Sequence, residues 1–99
     1  MTRWVAIFED DPDADWVRKR HDQDHFAYLD EHAGKIRLGG GLRPAPGEWF
    51  VGGLWVLEVE SREEAVRLIE GDPYFQKGLR RRYRLLVWGK APCYGEVIL

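Results

Sequence analysis

The chain has 99 residues, 44% of them hydrophobic, and this length suits one domain with a thin core. A formal net charge of −2 argues against nucleic acid as a partner, and the single cysteine, Cys93, excludes an intrachain disulfide. The apolar run at the N-terminus is too short for a signal peptide, and no run approaches the roughly 20 residues of a membrane span, so we expect a cytoplasmic protein without a membrane partner.

The first half of the chain is predicted to form a strand, a long helix and a weaker strand. Residues 4 to 8 are β-branched or aromatic apart from Ala6, and an acidic turn follows them. Residues 15 to 33 contain no Gly or Pro and are predicted to form a helix. Residues 35 to 42 form the weaker strand. Its three glycines, 39 to 41, either shape a pocket wall or end the strand.

The second half is predicted to form a strand, a helix and a last strand. The long strand covers residues 49 to 60, and its two glycines, Gly52 and Gly53, indicate a bulge or a close backbone approach. Ser61 and Glu64 have the spacing of a capping box, which predicts a helix that stops at Gly71.

A further helical turn and a final strand follow. Asp72 and Pro73 are predicted to be the N-cap and first residue of that turn. The strand covers residues 83 to 88. Residues 80 to 82 are three arginines, which we interpret as a solvated strand start, with anion binding as the alternative. Residues 89–99 form a C-terminal tail.

The element order β-α-β-β-α-β predicts a ferredoxin-like α+β domain over residues 1–88, an antiparallel sheet with two helices on one face. The strands are apolar on both faces, although an antiparallel sheet with one face in water should alternate apolar and polar side chains. Because two helices cover only one face, we expect a homodimer in which the helix-free face meets a second copy. Either Trp55 or Leu57 is expected to face that partner.

All three histidines lie within twelve positions, and a helical period places His21, His25 and His32 on one face with Tyr28 and Leu29. His21 and His25 have the spacing of a two-histidine zinc helix, but the other ligands of a closed site are missing, so we expect no bound metal. From the pattern alone, a half-buried histidine that hydrogen-bonds a neighbour is the simplest interpretation of His25.

Several short motifs in order resemble the YciI-like (YCII-related) family of small proteins, which have a dimeric α+β barrel fold. The resemblance covers residues 3 to 88. The chain departs from the family pattern at Asp22-Gln23, where Arg-Pro is frequent, and at Gly41 and Gly53, which replace a Pro and a Ser. The motifs are Phe8-Glu9-Asp10, His25-Phe26-Ala27-Tyr28-Leu29, Gly40-Gly41-Leu42, Gly52-Gly53, and Asp72-Pro73-Tyr74 with Gly78-Leu79.

The resemblance implies a catalytic pair, His25 and Asp72. It also implies a cofactor-independent proton transfer, either an isomerisation or an elimination, on a small cyclic or aromatic metabolite. The alternatives are a non-catalytic ligand-binding or accessory domain and a structural dimer without pocket chemistry. The residues expected around the small-molecule ligand are Tyr28, Gly40, Gly41, Gly53 and Tyr74.

Asp72 also has a purely structural interpretation as an N-cap, and the two roles can coexist if one carboxylate oxygen caps and the other meets His25. The meeting requires His25 to lie near the start of its helix. Asp22 is a candidate N-cap for that helix, and residues 14 to 20 would then form a separate turn.

Overall fold

The computed structural model describes residues 1–97, and its elements follow the predicted order. A short 3₁₀ turn, Pro12–Ala14, precedes the first helix. Within the described part of the chain, no helix is long and apolar enough to cross a membrane, and the cytoplasmic location stays a prediction. The strands and helices are β1 (Thr2–Asp10), α1 (Trp16–Glu31), β2 (Ile36–Leu42), β3 (Gly52–Val59), α2 (Arg62–Gly71), α3 (Pro73–Gln76) and β4 (Arg80–Val87).

The four strands form one antiparallel sheet in the order β2-β3-β1-β4, which confirms the predicted ferredoxin-like fold. β1 lies inside the sheet because the second β-α-β half returns its last strand, β4, to pair with it. The last strand of the first half, β2, pairs with β3, the other neighbour of β1. The pairing ends at Trp88, whose backbone N–H donates to the carbonyl oxygen of Arg3. Residues 89–97 contain no helix or strand, and the last two residues of the predicted tail lie outside the described residues.

The core lies between the sheet and the helices. Trp4, Ala6 and Phe8 face it from β1, and α2 contributes Ala65 and Ile69. Each fully buried large side chain contributes about 1.5–3 kcal/mol through removal of apolar surface from water. From β3 both Trp55 and Leu57 belong to this core. The expectation that one of them faces a partner is therefore wrong, because residues two apart on a strand share a face.

The helix-free face of the sheet is also apolar, as the alternation predicted. Val5 lies opposite Val56 on β3 and Leu86 on β4, and Ile7 lies opposite Leu54. Leu86 is 40% exposed in the single chain, although it lies on a sheet face. The two helices pack only on the other side, so this face has no cover from a helix of its own chain.

Several details of the strands differ from the prediction. β3 begins at Gly52, so Trp49 and Phe50 belong to the preceding loop. The register of β1 and β3 is continuous at Gly52, so the glycine marks a close approach and no bulge: a Cβ there would lie 2.1 Å from the carbonyl oxygen of Phe8. β2 contains all three glycines, and β4 begins at Arg80.

Helix α1 is kinked at His21, where φ is −119° and ψ is 15°. The kink separates the first turn from the segment that carries His25, much as the proposed start at Asp22 required. The Asp22 carboxylate accepts from the backbone N–H of the next residue, Gln23, at 2.8 Å. It does not reach the N–H two or three residues ahead, which is the contact of an ordinary N-cap.

Candidate active site

The structure brings His25 and Asp72 together. Nδ1 of His25 lies 2.6 Å from Oδ1 of Asp72, and the two residues are only 6% and 1% exposed. His25 comes from α1, and Asp72 from the junction of α2 and α3, where Pro73 begins a new helical turn. An ionised carboxylate can only accept hydrogen bonds, so Nδ1 donates its proton and Nε2 remains for a ligand.

One oxygen of Asp72 has two roles. Oδ1 accepts from His25 and also from the backbone N–H of Tyr74 at 3.3 Å, which makes Asp72 the N-cap of α3. The two roles were expected to fall on different oxygens. The shared oxygen couples the start of α3 to the position of the imidazole, because displacement of one partner changes the geometry of the other.

Aromatic rings hold the imidazole on its faces. The ring of Tyr74 is stacked on that of His25, with the centroids 3.8 Å apart and the planes at 9°. Trp55 lies farther away, at 6.5 Å between centroids. Burial raises the pKa of the Tyr74 hydroxyl, even though the nearby Arg18 lowers it. Tyr74 is therefore a neutral ring near pH 7 and serves as a packing surface.

His25 opens onto a cleft of about 310 Å³ between α1, β2 and the loop before β3. This volume is at the lower end of the range for small-molecule sites, about 300–1,000 Å³. The walls are mostly rings and glycine backbone, with two arginines and one further carboxylate. The lining residues are Arg18, Asp22, His25, Phe26, Leu29, Gly39, Gly40, Gly41, Trp49, Phe50, Tyr74 and Arg80.

The glycines of β2 form one wall of this cleft. A Cβ at Gly41 would lie 2.4 Å from the ring of Phe50, so Phe50 can cover this strand only because residue 41 has no side chain. A Cβ at Gly40 would meet no atom within 4 Å. Of the two alternatives for these glycines, the strand end is wrong, because β2 continues through them to Leu42. Their backbone lines the cleft together with the Phe50 ring.

Two arginines that were not among the predicted site residues line the cleft. Arg18 donates to Asp10 through Nε at 3.0 Å and to the carbonyl oxygen of Gly52 at 2.7 Å. Arg80 donates to the other oxygen of Asp10 at 2.8 Å. Arg80 was expected at a solvated strand start, but its side chain is only 2% exposed. The signal available in the sequence was Asp10, an acid at the end of a buried strand.

The remaining predicted site residues lie outside the cleft lining. The hydroxyl of Tyr28 donates to the carbonyl oxygen of Leu68 at 2.7 Å, and burial raises its pKa, with Asp72 acting in the same direction. A Cβ at Gly53 would lie 3.1 Å from a guanidinium nitrogen of Arg80, so Gly53 is behind that residue.

The other two histidines have partners outside the cleft. His21 pairs with Asp24, and the ring of His32 packs on Tyr28. Over residues 1–97 no three His, Cys, Asp or Glu side chains are grouped as metal ligands.

The chain is similar in sequence and in fold to known proteins. A family model described as the YCII-related domain matches residues 2–89. The chain is similar to the structure of 5-chloro-2-hydroxyhydroquinone dehydrochlorinase (TftG) from Burkholderia phenoliruptrix AC1100 in complex with 2,5-dihydroxybenzoquinone. The two share 26% identity with a TM-score of 0.81, over 90% of this chain and 95% of that one.

A second structure, the protein Atu4242 from Agrobacterium tumefaciens, has 13% identity and a TM-score of 0.56. The match covers 94% of this chain and 96% of that one, and it supports the fold alone. No curated protein matches the chain significantly.

Proposed function

Because the chain belongs to the YCII-related family and holds a buried His25–Asp72 pair in a cleft, we propose that it is a small enzyme that transfers protons on a cyclic metabolite. The observation that carries the proposal is the 2.6 Å contact between Nδ1 of His25 and Oδ1 of Asp72. Buried polar contacts of this kind constrain one tautomer of the imidazole, and an imidazole exchanges protons near neutral pH.

In this proposal His25 is the general base. Asp72 accepts the Nδ1–H throughout and stabilises the imidazolium that forms when Nε2 takes a proton. Oδ1 of Asp72 also accepts from the backbone N–H of Tyr74, which helps to hold the carboxylate beside the imidazole. A histidine base that a carboxylate orients also occurs in enzymes of unrelated folds. No cofactor takes part in it.

The substrate is proposed to be a flat ring that carries oxygen substituents. The cleft has planar walls, formed by aromatic rings and glycine backbone, and its arginines suit oxygen atoms that bear negative charge. The dehydrochlorinase structure that this chain resembles contains a ring of this class, 2,5-dihydroxybenzoquinone.

The reaction begins when Nε2 removes a proton from a carbon or oxygen of the ring, and the electron pair moves into the ring to give an enolate or phenolate. In an isomerisation His25 returns the proton to another ring atom. In an elimination a leaving group departs with an electron pair, and the imidazolium later loses its proton to water. Both outcomes use the same base and the same cleft.

We also propose that two copies associate through the helix-free face of the sheet. The support is the row of apolar side chains on this face that stay exposed or half-buried in the single chain: Val5, Ile7, Leu38, Leu54 and Leu86. Contiguous apolar patches on a small protein commonly mark such interfaces, and a self-complementary sheet face suits two-fold symmetry.

The test of the proton transfer uses hydroxylated rings in deuterated water. Incorporation of deuterium into a panel of hydroxyquinones and hydroquinones is followed by proton NMR, and chloride release is measured for chlorinated members, including 5-chloro-2-hydroxyhydroquinone. Wild-type protein should accelerate at least one of these reactions. His25→Asn should lower the rate roughly 10²-fold or more, as expected for loss of a general base.

His21→Asn is the matched control, since His21 lies on the same helix outside the cleft lining. It should leave the rate unchanged. Tight binding of a ring without any reaction would favour the non-catalytic ligand-binding domain, whereas equal rates for the two histidine variants would exclude His25 as the base.

A further inference from the structure

Arg80 is the residue of the cleft whose presence the proton transfer does not explain. Its side chain is 2% exposed, and one terminal nitrogen donates to Asp10 at 2.8 Å. Among the described residues, its Nε is buried without a hydrogen-bond partner. The guanidinium also lies over the ring of Phe8, 4.3 Å from the centroid, and 5.3 Å from that of Tyr74. Arg80 thus lies buried against two aromatic rings at the cleft.

The counterion of Arg80 is shared. The two oxygens of Asp10 are divided between Arg18, at 3.0 Å, and Arg80, so one carboxylate faces two guanidinium groups. The next carboxylate, Asp72, is bound by His25, and Asp22 lies on the cleft lining as a partly exposed group. Burial lowers the pKa of Arg80, while Asp10 and Asp72 raise it, and an arginine remains charged in proteins under these influences.

Gly53 makes room for this guanidinium. A Cβ at residue 53 would lie 3.1 and 3.2 Å from the two terminal nitrogens of Arg80, closer than ordinary contact. A side chain at this position of β3 would therefore press on the guanidinium and displace it by a few tenths of an ångström. Burial of a guanidinium that shares its counterion with a second arginine lowers the stability of the fold. Such a cost indicates that Arg80 has a role in binding.

We propose that Arg80 selects the charge of the ligand: its guanidinium binds an ionised ring oxygen, an enolate, phenolate or carboxylate, so that the cleft takes anionic rings in preference to neutral ones of the same shape. The bound anion supplies the counter-charge that Asp10 must otherwise divide between two arginines. This inference rests on the proposed use of the cleft as a small-molecule site.

The experiment compares two ring compounds by isothermal titration calorimetry. 2,5-Dihydroxybenzoquinone has acidic hydroxyls, whereas 2,5-dimethoxybenzoquinone has the same ring and cannot ionise at those oxygens. Wild-type protein should prefer the acidic compound. Arg80→Met should weaken binding of that compound roughly 10- to 100-fold, the range of a hydrogen bond to a charged group, and should change binding of the dimethoxy compound little.

Arg82→Met is the matched control, because Arg82 lies on the same strand, is 65% exposed in its side chain and pairs with Glu9. It should keep the wild-type preference. Gly53→Ser keeps the arginine but places a Cβ 3.1 and 3.2 Å from its terminal nitrogens, and it should also reduce the preference. This variant tests the proposal even if Arg80→Met fails to fold, which circular dichroism would show.

The inference would be overturned by wild-type protein that binds the two compounds equally, or by a folded Arg80→Met or Gly53→Ser variant that keeps the wild-type preference. These outcomes are distinct from a failure of the proposed catalysis. Unchanged proton exchange in His25→Asn would remove the general base and would leave the charge preference of Arg80 in place.

Discussion

The ring of Tyr74 lies flat against the ring of His25, with 3.8 Å between the centroids and 9° between the planes. Together with the hydrogen bond to Asp72, this stack restrains the imidazole at a face and at an edge. The hydroxyl of Tyr74 takes no part in the stack. A restrained imidazole keeps Nε2 at one position in the cleft, and proton transfer depends on such positioning.

The effect of replacing Tyr74 on the proton-exchange rate should therefore come from loss of the ring and not from loss of the hydroxyl. Tyr74→Phe keeps the stack and should give a proton-exchange rate within about twofold of wild type. Tyr74→Leu removes the flat surface and should lower the rate roughly tenfold or more through loss of orientation. Deuterium incorporation into the ring substrate measures both variants. Equal rates for Phe and Leu at this position would contradict a positioning role.

Two variants separate the structural and catalytic roles of Asp72. Asp72→Asn should keep the N-cap of α3, since Asn caps as well as Asp, and it should still lower the proton-exchange rate at least about tenfold through loss of the negative charge beside the imidazole. Asp72→Ala should lose the cap as well, with a further loss of about 1 kcal/mol in the free energy of unfolding.

Urea unfolding and deuterium exchange measure these two properties of the Asp72 variants. If Asp72→Asn were as active as wild type, the carboxylate would be no more than a cap, and His25 would act without a charged partner.

A glycine pair on β2 offers a test of the cleft wall. A Cβ at Gly41 would lie 2.4 Å from the Phe50 ring, whereas a Cβ at Gly40 meets nothing within 4 Å. Gly41→Ala should displace Phe50 and weaken binding of a ring ligand roughly tenfold, while Gly40→Ala should bind as wild type does. Calorimetric titration of both variants gives the comparison. Similar affinities would show that Phe50 moves without consequence for the site.

The proposed dimer is tested on its exposed face. Leu86 is 40% exposed in the single chain, so Leu86→Asp should do little damage to the isolated fold and should abolish association. Trp16→Asp alters an apolar residue on α1 that is 48% exposed and is the control. Light scattering at micromolar concentration should find a dimer for wild type and Trp16→Asp, and a monomer for Leu86→Asp. A monomeric wild type would exclude the interface.

The fold was predictable because its signals are local. Strand alternation placed Trp4 and Val5 on opposite faces, the Ser61–Glu64 capping box fixed the start of α2, and the Asp72–Pro73 step fixed that of α3. Each signal is a property of a few neighbouring residues. The pairing of His25 with Asp72 was reached through the family resemblance, since a helical period shows only which face His25 occupies.

The arginines of the cleft were beyond such reasoning. Arg18 and Arg80 meet at Asp10 because the end of β1, the start of α1 and the start of β4 converge at one end of the strands. A run of three arginines suggests solvent, and only the packed structure shows that the first of them is buried beside Gly53. Tyr28 shows the opposite error: it shares the helix face of His25, yet its hydroxyl reaches Leu68 instead of the cleft.

Nitrogen NMR of the three histidines at about pH 8 tests the His25 base most directly, because it reports which ring nitrogen carries a proton. In the free protein, His25 should be protonated at Nδ1, facing Asp72, and unprotonated at Nε2. On titration with 2,5-dihydroxybenzoquinone, the Nε2 signal of His25 should shift while those of His21 and His32 stay in place. A proton on Nε2 in the free protein, or a ligand that binds without any change at His25, would contradict the proposed proton transfer.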